Sequence, residues 1–462
     1  MMTYPAAHRC QKCAEVPRRA GSARAVDDDA AWQHVLARLP RDLEESARAT
    51  GAFERRRVVR SAPDLLRLVL MYTLVDWPFR LVAAWANARE LADLSDVAVR
   101  QRIRGTLTWL QQLISAQLAL VSCAPAPGNV CVRLIDATTA QRPGSTGTDW
   151  RFHLSVDLGR ATFQGIEVTD AHGGETLVRH PTVPHEISVA DRGYAHRRGI
   201  GSLVAGGGDV VVRANWQNLP LQQEDGSPVD LIGWLRQVPT SEAGERRAQV
   251  VTPQGTISVR VVARRLSQEA ADQARCKVRQ DARKHGRTPD QRTLEAAGFI
   301  ILVTTLAEAS WPADEVLALY RFRWQIELVF KRLKGVLQLA ELRMQDAELA
   351  QVSLHGKILA ALLIEREQQG EPLLQSEWLA ALDRPVSPWR CLAWYAQALR
   401  DAVRGHLDWS TLHRALPRLG RYLRDAPRKR KQQAASARAF LTTHLLSPTH
   451  ATLAPSPACC LC

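Results

Sequence analysis

The hydrophobic residues of this chain change their spacing once, at the proline- and glycine-rich stretch CAPAPGN, residues 123–129. Before it, over residues 30–122, apolar side chains recur every three or four positions, which predicts amphipathic helices. After it, apolar and polar residues alternate in runs such as CVRLID (131–136) and RFHLSVDL (151–158), which predict strands. We therefore expect a helical region followed by an α/β region.

The elements predicted after this linker follow a recognisable order. Three strands are followed by a helix, a strand, a short helix and a strand, at 131–136, 151–158, 162–169, 175–180, 187–192, 195–204 and 209–215. This is the element order of an RNase H-like α/β core. Residues 216–298 break the rhythm with short strand-like runs and a polar basic segment, which predicts a β-rich insertion. A further buried strand is predicted at FIILVTTL, residues 299–306.

These patterns divide the chain into five regions. We expect a disordered basic tail at 1–29, a helical N-terminal domain at 30–122, the α/β core at 129–345 with its insertion at about 216–298, a helical C-terminal region at 346–425, and a basic disordered tail at 426–462. The C-terminal helical region is a candidate for dimerisation.

The charge balance is strongly basic, with 61 Lys and Arg residues against 47 Asp and Glu residues, a net charge of +14. Such an excess favours a polyanionic partner, with nucleic acid first and an anionic membrane surface second. The basic residues are spread through the chain and do not face an apolar stripe, which argues against a membrane-surface protein. No run of 18 or more apolar residues is present, and the N-terminus lacks the apolar core of a secretory signal. We therefore expect a cytoplasmic protein with no membrane partner.

The nine cysteines are an odd number in a long chain, which argues against a disulfide framework. Cys10 and Cys13 lie close to His8, and three more cysteines stand among the last four residues. A zinc site built from both ends is one interpretation. Free thiols in two tails are the other, and we favour it because neither cluster has a second ligand pair at zinc-finger spacing.

The segment LSDVAVRQRIRGTLTWLQQLI predicts a basic helix in the N-terminal domain. Ser95 is suited to cap its start, and Arg100, Arg102 and Arg104 follow. The helix could be the recognition helix of a helix-turn-helix laid on DNA. It could equally be a packed helix with solvated arginines.

One long helix is predicted between Pro312 and Gly335, in WPADEVLALYRFRWQIELVFKRLKG. Its polar face, an arc of roughly 80°, holds Tyr320, Arg323, Glu327, Lys331 and Lys334. Its apolar face holds Phe322, Ile326, Val329 and Leu333. By itself, a single carboxylate among cations is typical of a salt-bridged surface residue.

The spacing on the polar face is more specific than its composition. Tyr320 is followed after two residues by Arg323, after three more by Glu327, and after six more by Lys334. This pattern resembles the Y-R-E-K signature of the IS4 family of bacterial insertion-sequence transposases, with every spacing matched. The resemblance extends over roughly residues 130–345.

Two aspartates fit the same resemblance. Asp136 ends the first strand in LIDATT, and Asp191 ends a later strand in VADRGYAH, where the family has its catalytic aspartates. Asp157 and Asp170 also stand at strand ends, and only the combined context favours the first pair. The resemblance implies a DDE transposase that binds terminal inverted repeats, cleaves at the element ends and joins the 3′-OH to target DNA. It also implies a homodimer assembled on double-stranded DNA.

The implied chemistry needs an activated water and a stabilised leaving oxygen, which two Mg²⁺ ions supply. Mg²⁺ prefers oxygen ligands, and Mn²⁺ is expected to substitute for it. The resemblance assigns both ions to Asp136, and one each to Asp191 and Glu327.

Several side chains near these acids are candidate DNA contacts. Arg323, Lys331 and Lys334 are expected to hold phosphates, and the Tyr320 hydroxyl to donate to a phosphate oxygen. The remaining candidates are Arg192, Arg213 and Phe299. The two arginines could instead form structural ion pairs. Phe299 stands near the place where some family members have a tryptophan that grips a flipped base.

Two other functions are consistent with part of this sequence. A domesticated or inactive transposase-derived protein would bind inverted repeats without cutting them, but the complete acidic trio and the Y-R-E-K spacing argue against it. A different metal nuclease on the same core would lack the insertion between Asp191 and Glu327.

Overall fold

The computed structural model describes residues 30–54, 58–121, 131–160, 162–214, 216–370, 387–407 and 422–423. The N-terminal tail predicted at 1–29 and the C-terminal tail predicted at 426–462 lie outside these ranges, together with both terminal cysteine clusters. Six helices come first, α1 Ala30–Leu36, α2 Leu43–Ala49, α3 Ala62–Thr73, α4 Phe79–Ala88, α5 Asp96–Arg104 and α6 Leu107–Val121. The helical character predicted for 30–122 is therefore present throughout its described part.

Side-chain caps fix the starts of two of these helices. The Ser61 side chain accepts a hydrogen bond from the Asp64 backbone N–H at the start of α3, where a proline occupies the first turn. The Ser95 side chain accepts from the Ala98 backbone N–H at the start of α5, as the sequence predicts. These bonds satisfy N–H groups that the first turn of a helix leaves without an intrahelical partner.

The α/β region contains one eight-stranded mixed sheet. Its strands are β1 Cys131–Ala140, β2 Trp150–Asp157, β3 Thr162–Asp170, β4 Glu186–Ala190, β5 Asp209–Arg213, β6 Gly244–Thr252, β7 Gly255–Arg265 and β8 Phe299–Thr304. The order across the sheet is β3-β2-β1-β4-β5-β8-β7-β6. The three central strands β1, β4 and β5 are parallel, and every other pair of neighbours is antiparallel. This confirms a mixed α/β fold.

The segment predicted as an insertion extends the main sheet. Within it, β7 pairs with β8 and β6 pairs with β7, so both strands continue the sheet past its parallel centre. The polar basic run predicted there is largely helical, in α9 Gln268–Lys284, and α8 Leu231–Gln237 and α10 Gln291–Ala296 complete the insertion. Short helix α7 Arg197–Ala205 precedes β5 as expected, whereas the helix predicted at 175–180 is one 3₁₀ turn, Leu177–Arg179.

The single helix predicted between Pro312 and Gly335 is two helices, α11 Ala313–Arg321 and α12 Trp324–Val336. At the break, the Arg323 backbone N–H donates to the Tyr320 carbonyl and the Ile326 N–H donates to the Arg323 carbonyl. These tighter i to i−3 bonds replace the regular α-helical pattern between the two helices.

The glycine at the end of α12 has a packing function. The helix ends at Val336, its C-cap is Leu337, and the residue after the cap is Gln338, in the left-handed region with φ of 53°. A Cβ at position 335 would lie 2.3 Å from the Trp389 ring. Gly335 therefore permits close packing against the last long helix.

Two further helices complete the described chain, α13 Ala347–Gly370 and α14 Pro388–Arg404. One apolar core joins α13 and α14 to the N-terminal helices and to one face of the sheet, and a second core lies on the opposite face, against α7 and α8. The apolar window of α13 is long enough to cross a membrane, but 83% of it is buried inside the protein.

Replacement of Gly356 in α13 tests this packing. An added Cβ would lie 2.4 Å from Oγ1 of Thr73, which is fully buried in α3. Gly356→Val should therefore lower the free energy of unfolding by about 1–3 kcal/mol, measured by urea denaturation. Gly147→Val is the control, because Gly147 has no atom within 4 Å of a built Cβ. Equal stability of the two variants would contradict the packing described for α13.

Candidate active site

The register of two parallel strands brings Asp136 and Asp191 together. Ile135 in β1 lies opposite Ala190, the last residue of β4. Asp136 follows Ile135 and Asp191 follows Ala190, so the two carboxylates are neighbours where the pairing of β1 with β4 ends, at one edge of the parallel strands. The prediction that Asp136 ends the first strand is wrong, because β1 continues along β2 to Ala140. This edge is where the parallel strands of open α/β sheets place their ligand sites.

Arg323 connects this edge to Glu327 in α12. Its Nη1 lies 3.3 Å from Oδ2 of Asp136, and its Nη2 lies 2.7 Å from Oε1 of Glu327. The side chains of Arg323 and Asp136 are 15% and 17% exposed, whereas that of Glu327 is 41% exposed. One guanidinium, placed at the break between α11 and α12, therefore bridges acids from a strand and a helix.

Tyr320 makes the corresponding contact with the second aspartate. Its hydroxyl donates to Oδ1 of Asp191 at 3.0 Å, and the Arg323 guanidinium lies 5.9 Å from the centre of its ring. The structure thus brings together five of the residues predicted from the sequence: Asp136, Asp191, Tyr320, Arg323 and Glu327.

The two aspartates differ in acidity. Burial raises the pKa of Asp136 to about 6, against the opposing effects of the Ala137 backbone N–H and the Arg323 charge. Burial acts in the same direction on Asp191, but the charge of Arg323 and other donors outweighs it and holds the pKa of Asp191 below its usual value. The Tyr320 hydroxyl is one of these donors. Asp191 is therefore the more strongly ionised of the pair.

Tyr320 and Arg323 keep their protons in this environment. Burial and the nearby Asp191 raise the pKa of Tyr320 above its usual range, so its hydroxyl remains a donor. Burial alone would lower the pKa of Arg323, but Asp191 and the other acids more than offset it and raise that pKa. Arg323 is thus a fixed positive charge within the site.

The cations predicted farther along α12 lie on its outer side. Lys331 is exposed, and its ammonium lies 5.5 Å from the centre of the Trp324 ring. Lys334 is partly exposed, and burial lowers its pKa. Neither lysine forms a salt bridge with any residue that the structure describes.

Arg192 and Arg213 flank Asp191. Arg192 follows it directly and is exposed, and Arg213 at the end of β5 helps to lower the pKa of Asp191. Within the described part of the chain neither arginine forms a salt bridge, so the structural ion pair considered from the sequence is not found there.

Phe299 does not join the site. Its ring is 7% exposed, belongs to the second apolar core, and lies under the Arg265 guanidinium at 4.7 Å. A ring enclosed in this way has no open face for a DNA base. The apolar run FIILVT gives no sign of this, because the guanidinium above the ring comes from β7, which is distant in sequence.

The alternative acids have other partners. Asp170 Oδ1 accepts hydrogen bonds from the backbone N–H groups of His172 and Gly173, so it caps a turn. Asp157 is buried at the opposite end of β1, in register with Arg133. Neither contacts the carboxylates joined by Arg323.

Glu175 is a site residue that the sequence analysis missed. Its Oε2 lies 1.9 Å from where a Cβ at Gly193 would stand, so a larger residue at 193 would displace the Glu175 carboxylate. Its charge adds to the rise in the pKa of Asp136. The only signal was its place in the polar AHGGET loop between β3 and β4.

Two of the arginines considered for a recognition helix have structural partners. Arg100 pairs with Asp346 at 3.1 Å, and Arg104 pairs with Asp346 and Glu348. These ion pairs connect α5 to the start of α13 and support the packed-helix interpretation for both residues. Arg102 forms no salt bridge with a described residue.

The donor set at the sheet edge suits a hard divalent cation, because all three acids offer carboxylate oxygens. As the side chains stand, the described residues hold no cluster of three or more acids, histidines or cysteines arranged around a metal position. Asp136 and Glu327 do not face one metal position, because the Arg323 guanidinium lies between them.

Comparison with known proteins agrees with this geometry. Residues 128–363 match the family model of the transposase DDE domain. The chain is 36% identical over 346 residues to the InsL protein of insertion sequence element IS186A of Escherichia coli (strain K12), covering 72% of this chain and 93% of that protein. It is 35% identical over 347 residues to the transposase of element IS421 of Escherichia coli, with the same coverage. The transposase of IS231F from Bacillus thuringiensis subsp. israelensis is 26% identical over 264 residues, 50% of this chain and 55% of that protein.

A mixed α/β sheet with an acidic trio inside the matched range defines a transposase DDE domain. The chain belongs to the IS4-type family of DDE transposases of bacterial insertion sequences.

The raised pKa of Asp136 predicts that this residue costs stability. Its folded-state pKa of about 6 exceeds the ordinary value of 3.8, so the folded protein binds the proton more tightly than the unfolded chain does. Stability should then fall as the pH rises from about 4 to about 6 and Asp136 becomes charged. Asp136→Asn should raise the free energy of unfolding at pH 8 by about 1–3 kcal/mol, measured by urea denaturation in EDTA.

The control for this prediction is Asp314→Asn, at a position with a 72% exposed side chain. Its replacement should change the free energy of unfolding at pH 8 little, because the side chain is exposed, whereas Asp136→Asn should raise that free energy and flatten the dependence of stability on pH between about pH 4 and 6. A less stable Asp136→Asn protein at pH 8 would contradict the account of burial at this carboxylate.

Proposed function

We propose that this transposase binds the terminal inverted repeats of its own element, cleaves DNA at the element ends and joins the freed 3′-OH to target DNA. One observation carries the proposal. Asp136, Asp191 and Glu327 come from three separate elements, and Arg323 and Tyr320 connect them at one edge of the sheet. All five residues lie within the range that matches the DDE family model.

The three carboxylates are the proposed ligands of two Mg²⁺ ions, with Mn²⁺ as a substitute. Bound Mg²⁺ would supply an activated water and neutralise charge on the leaving oxygen. Asp191 is suited to this task because its pKa is lowered, which keeps it ionised at neutral pH. Asp136 becomes ionised above about pH 6.

The cations of the site are proposed to hold the DNA backbone. Arg323 can present two N–H groups to a phosphate, whereas Lys331 and Lys334 act as point charges on the outer side of α12. Arg192 and Arg213 are assigned the same role beside Asp191, because both lack a salt bridge to a described residue. These cations extend outward from the three carboxylates. Together they would orient a phosphodiester over the edge of the sheet.

The wider assignments follow from the same function. The sheet has the antiparallel strands β3, β2 and β1 on one side, followed by β4 and β5, which run parallel to β1. This arrangement supports an RNase H-like core. We assign binding of the element ends to residues 30–122 and dimerisation on DNA to residues 346–425. We place the protein in the cytoplasm, on the nucleoid, since its substrate is DNA.

A plasmid assay tests the function directly. Purified protein, Mg²⁺ and a supercoiled plasmid carrying the element's own ends should give nicks or excision at those ends. Glu327→Gln should lower the rate by about a hundredfold or more, because a carboxylate ligand is lost. The matched control is Glu308→Gln, at an exposed position before α11 that should retain full activity.

The outcomes separate the main alternatives. Cleavage at the ends that disappears only in Glu327→Gln supports the transposase. Binding of the ends without cleavage, in Mg²⁺ and in Mn²⁺, would contradict the proposed reaction and favour an inactive transposase-derived DNA-binding protein.

Tyr320→Phe tests how Asp191 is kept ionised. The variant loses the hydroxyl that donates to Asp191 and helps to lower its pKa. A hydrogen bond to a charged group contributes about 1.5–3 kcal/mol, so cleavage should fall by about tenfold to a hundredfold. The acid limb of the pH–rate profile should stay in place, because Asp136 has the higher pKa of the two aspartates and sets that limb. An unchanged cleavage rate would contradict this role of Tyr320.

A further inference from the structure

We propose that Arg323 is a latch that holds Asp136 and Glu327 together until a DNA phosphate withdraws its guanidinium, so that cation binding by the carboxylates is coupled to DNA binding. The inference rests on the proposed function and adds a form of regulation to it. The latch has three parts: one guanidinium and the two carboxylates that it contacts.

The contacts use two different nitrogens of one side chain. Nη1 serves Asp136 at 3.3 Å and Nη2 serves Glu327 at 2.7 Å. Within the described ranges, neither carboxylate has a salt bridge to any other residue. Asp191 differs, because it accepts the Tyr320 hydroxyl. Among the described residues, Arg323 is therefore the one side chain that pairs with both Asp136 and Glu327.

A divalent cation and this guanidinium compete for the same two carboxylates. Both are positive charges, and Arg323 already holds Oδ2 of Asp136 and Oε1 of Glu327. The site is mostly buried at Asp136, so two cations placed side by side there would repel each other with little screening. Binding of a divalent ion by both acids is thus weakened while Arg323 contacts them, and it strengthens when Arg323 leaves.

DNA supplies the group that can draw Arg323 away. An arginine has five N–H donors, and this one gives a single bond to each carboxylate. A phosphate can accept two parallel bonds from the same guanidinium, which is a stronger arrangement. The side chain stands at the break between α11 and α12, where i to i−3 bonds replace the regular helix pattern. Arg323 can therefore exchange partners at a point where the helix is already interrupted.

The functional consequence is control of when the carboxylates take up ions. Without a phosphate nearby, Arg323 neutralises part of the acidic charge and competes with a divalent ion. With a phosphate in place, the same side chain grips DNA and frees Asp136 and Glu327. The divalent ion and the DNA then strengthen each other's binding, because coupled binding equilibria are reciprocal.

Mn²⁺ binding to the purified full-length protein tests the latch without a measurement of activity. The amount of free Mn²⁺ is followed by electron paramagnetic resonance, with and without a short duplex that carries the element's end. Binding seen with Glu327→Gln under the same conditions is subtracted, so that only ions at this site are counted. The duplex should tighten Mn²⁺ binding to the wild-type protein by a factor within the usual range of about 5 to 150 for coupled sites.

Arg323→Ala should remove this coupling. The DNA-free variant should bind Mn²⁺ about as tightly as the wild-type protein does with the duplex, and addition of the duplex should change little. Arg323→Lys keeps the charge but has one nitrogen, so it cannot serve both acids in the same way. Its coupling should be weaker than that of the wild-type protein, and it provides the test if the alanine variant does not fold.

Arg213→Ala is the control for loss of charge alone. Arg213 also acts on Asp191 but contacts neither Asp136 nor Glu327. If Arg213→Ala and Arg323→Ala strengthen Mn²⁺ binding equally, or if the wild-type protein binds Mn²⁺ equally with and without the duplex, the latch is wrong. Cleavage of the element ends in the plasmid assay would still stand in that case, so failure of the latch and failure of the proposed function are distinguishable.

Discussion

The parallel pairing of β1 with β4 is the constraint on which the active site depends. It sets Ile135 beside Ala190, and the next residue of each strand is then an aspartate at the same edge of the sheet. A shift of this register by one residue would turn one of the two side chains to the opposite face. The helices that follow β8 need only cover this edge for Tyr320, Arg323 and Glu327 to reach the aspartates.

The site holds several carboxylates in a partly buried position. The surroundings shift the pKa values of its two aspartates in opposite directions. Asp136 is destabilised as an anion by burial, whereas Asp191 is kept ionised by Arg323 and the Tyr320 hydroxyl. A residue that lowers stability while it awaits its ligand is typical of functional sites. Arg323 reduces this penalty through two ion pairs and would thereby compete with the divalent ions proposed to bind here.

Much of this could be predicted from local sequence pattern. Strand alternation located β1 to β5, and the contexts of Asp136 and Asp191 identified the residues that the parallel register joins. The features that escaped prediction depend on contacts between distant segments. The pairing of β7 with β8 makes the insertion part of the main sheet, and Arg265 in β7 covers Phe299. A helical wheel treats this segment as one regular helix and therefore cannot show the break at Arg323.

Asp136, Asp191 and Glu327 are proposed to bind metal at one place, and a bound metal ion can mark its own position. Fe²⁺ replaces Mg²⁺ in the DNA-bound protein, peroxide and ascorbate generate radicals at the ion, and the backbone cuts are mapped by mass spectrometry. We expect cuts clustered around residues 136, 191 and 327, suppressed by excess Mg²⁺. Cuts located elsewhere, or spread evenly along the chain, would contradict a shared metal site at these three residues.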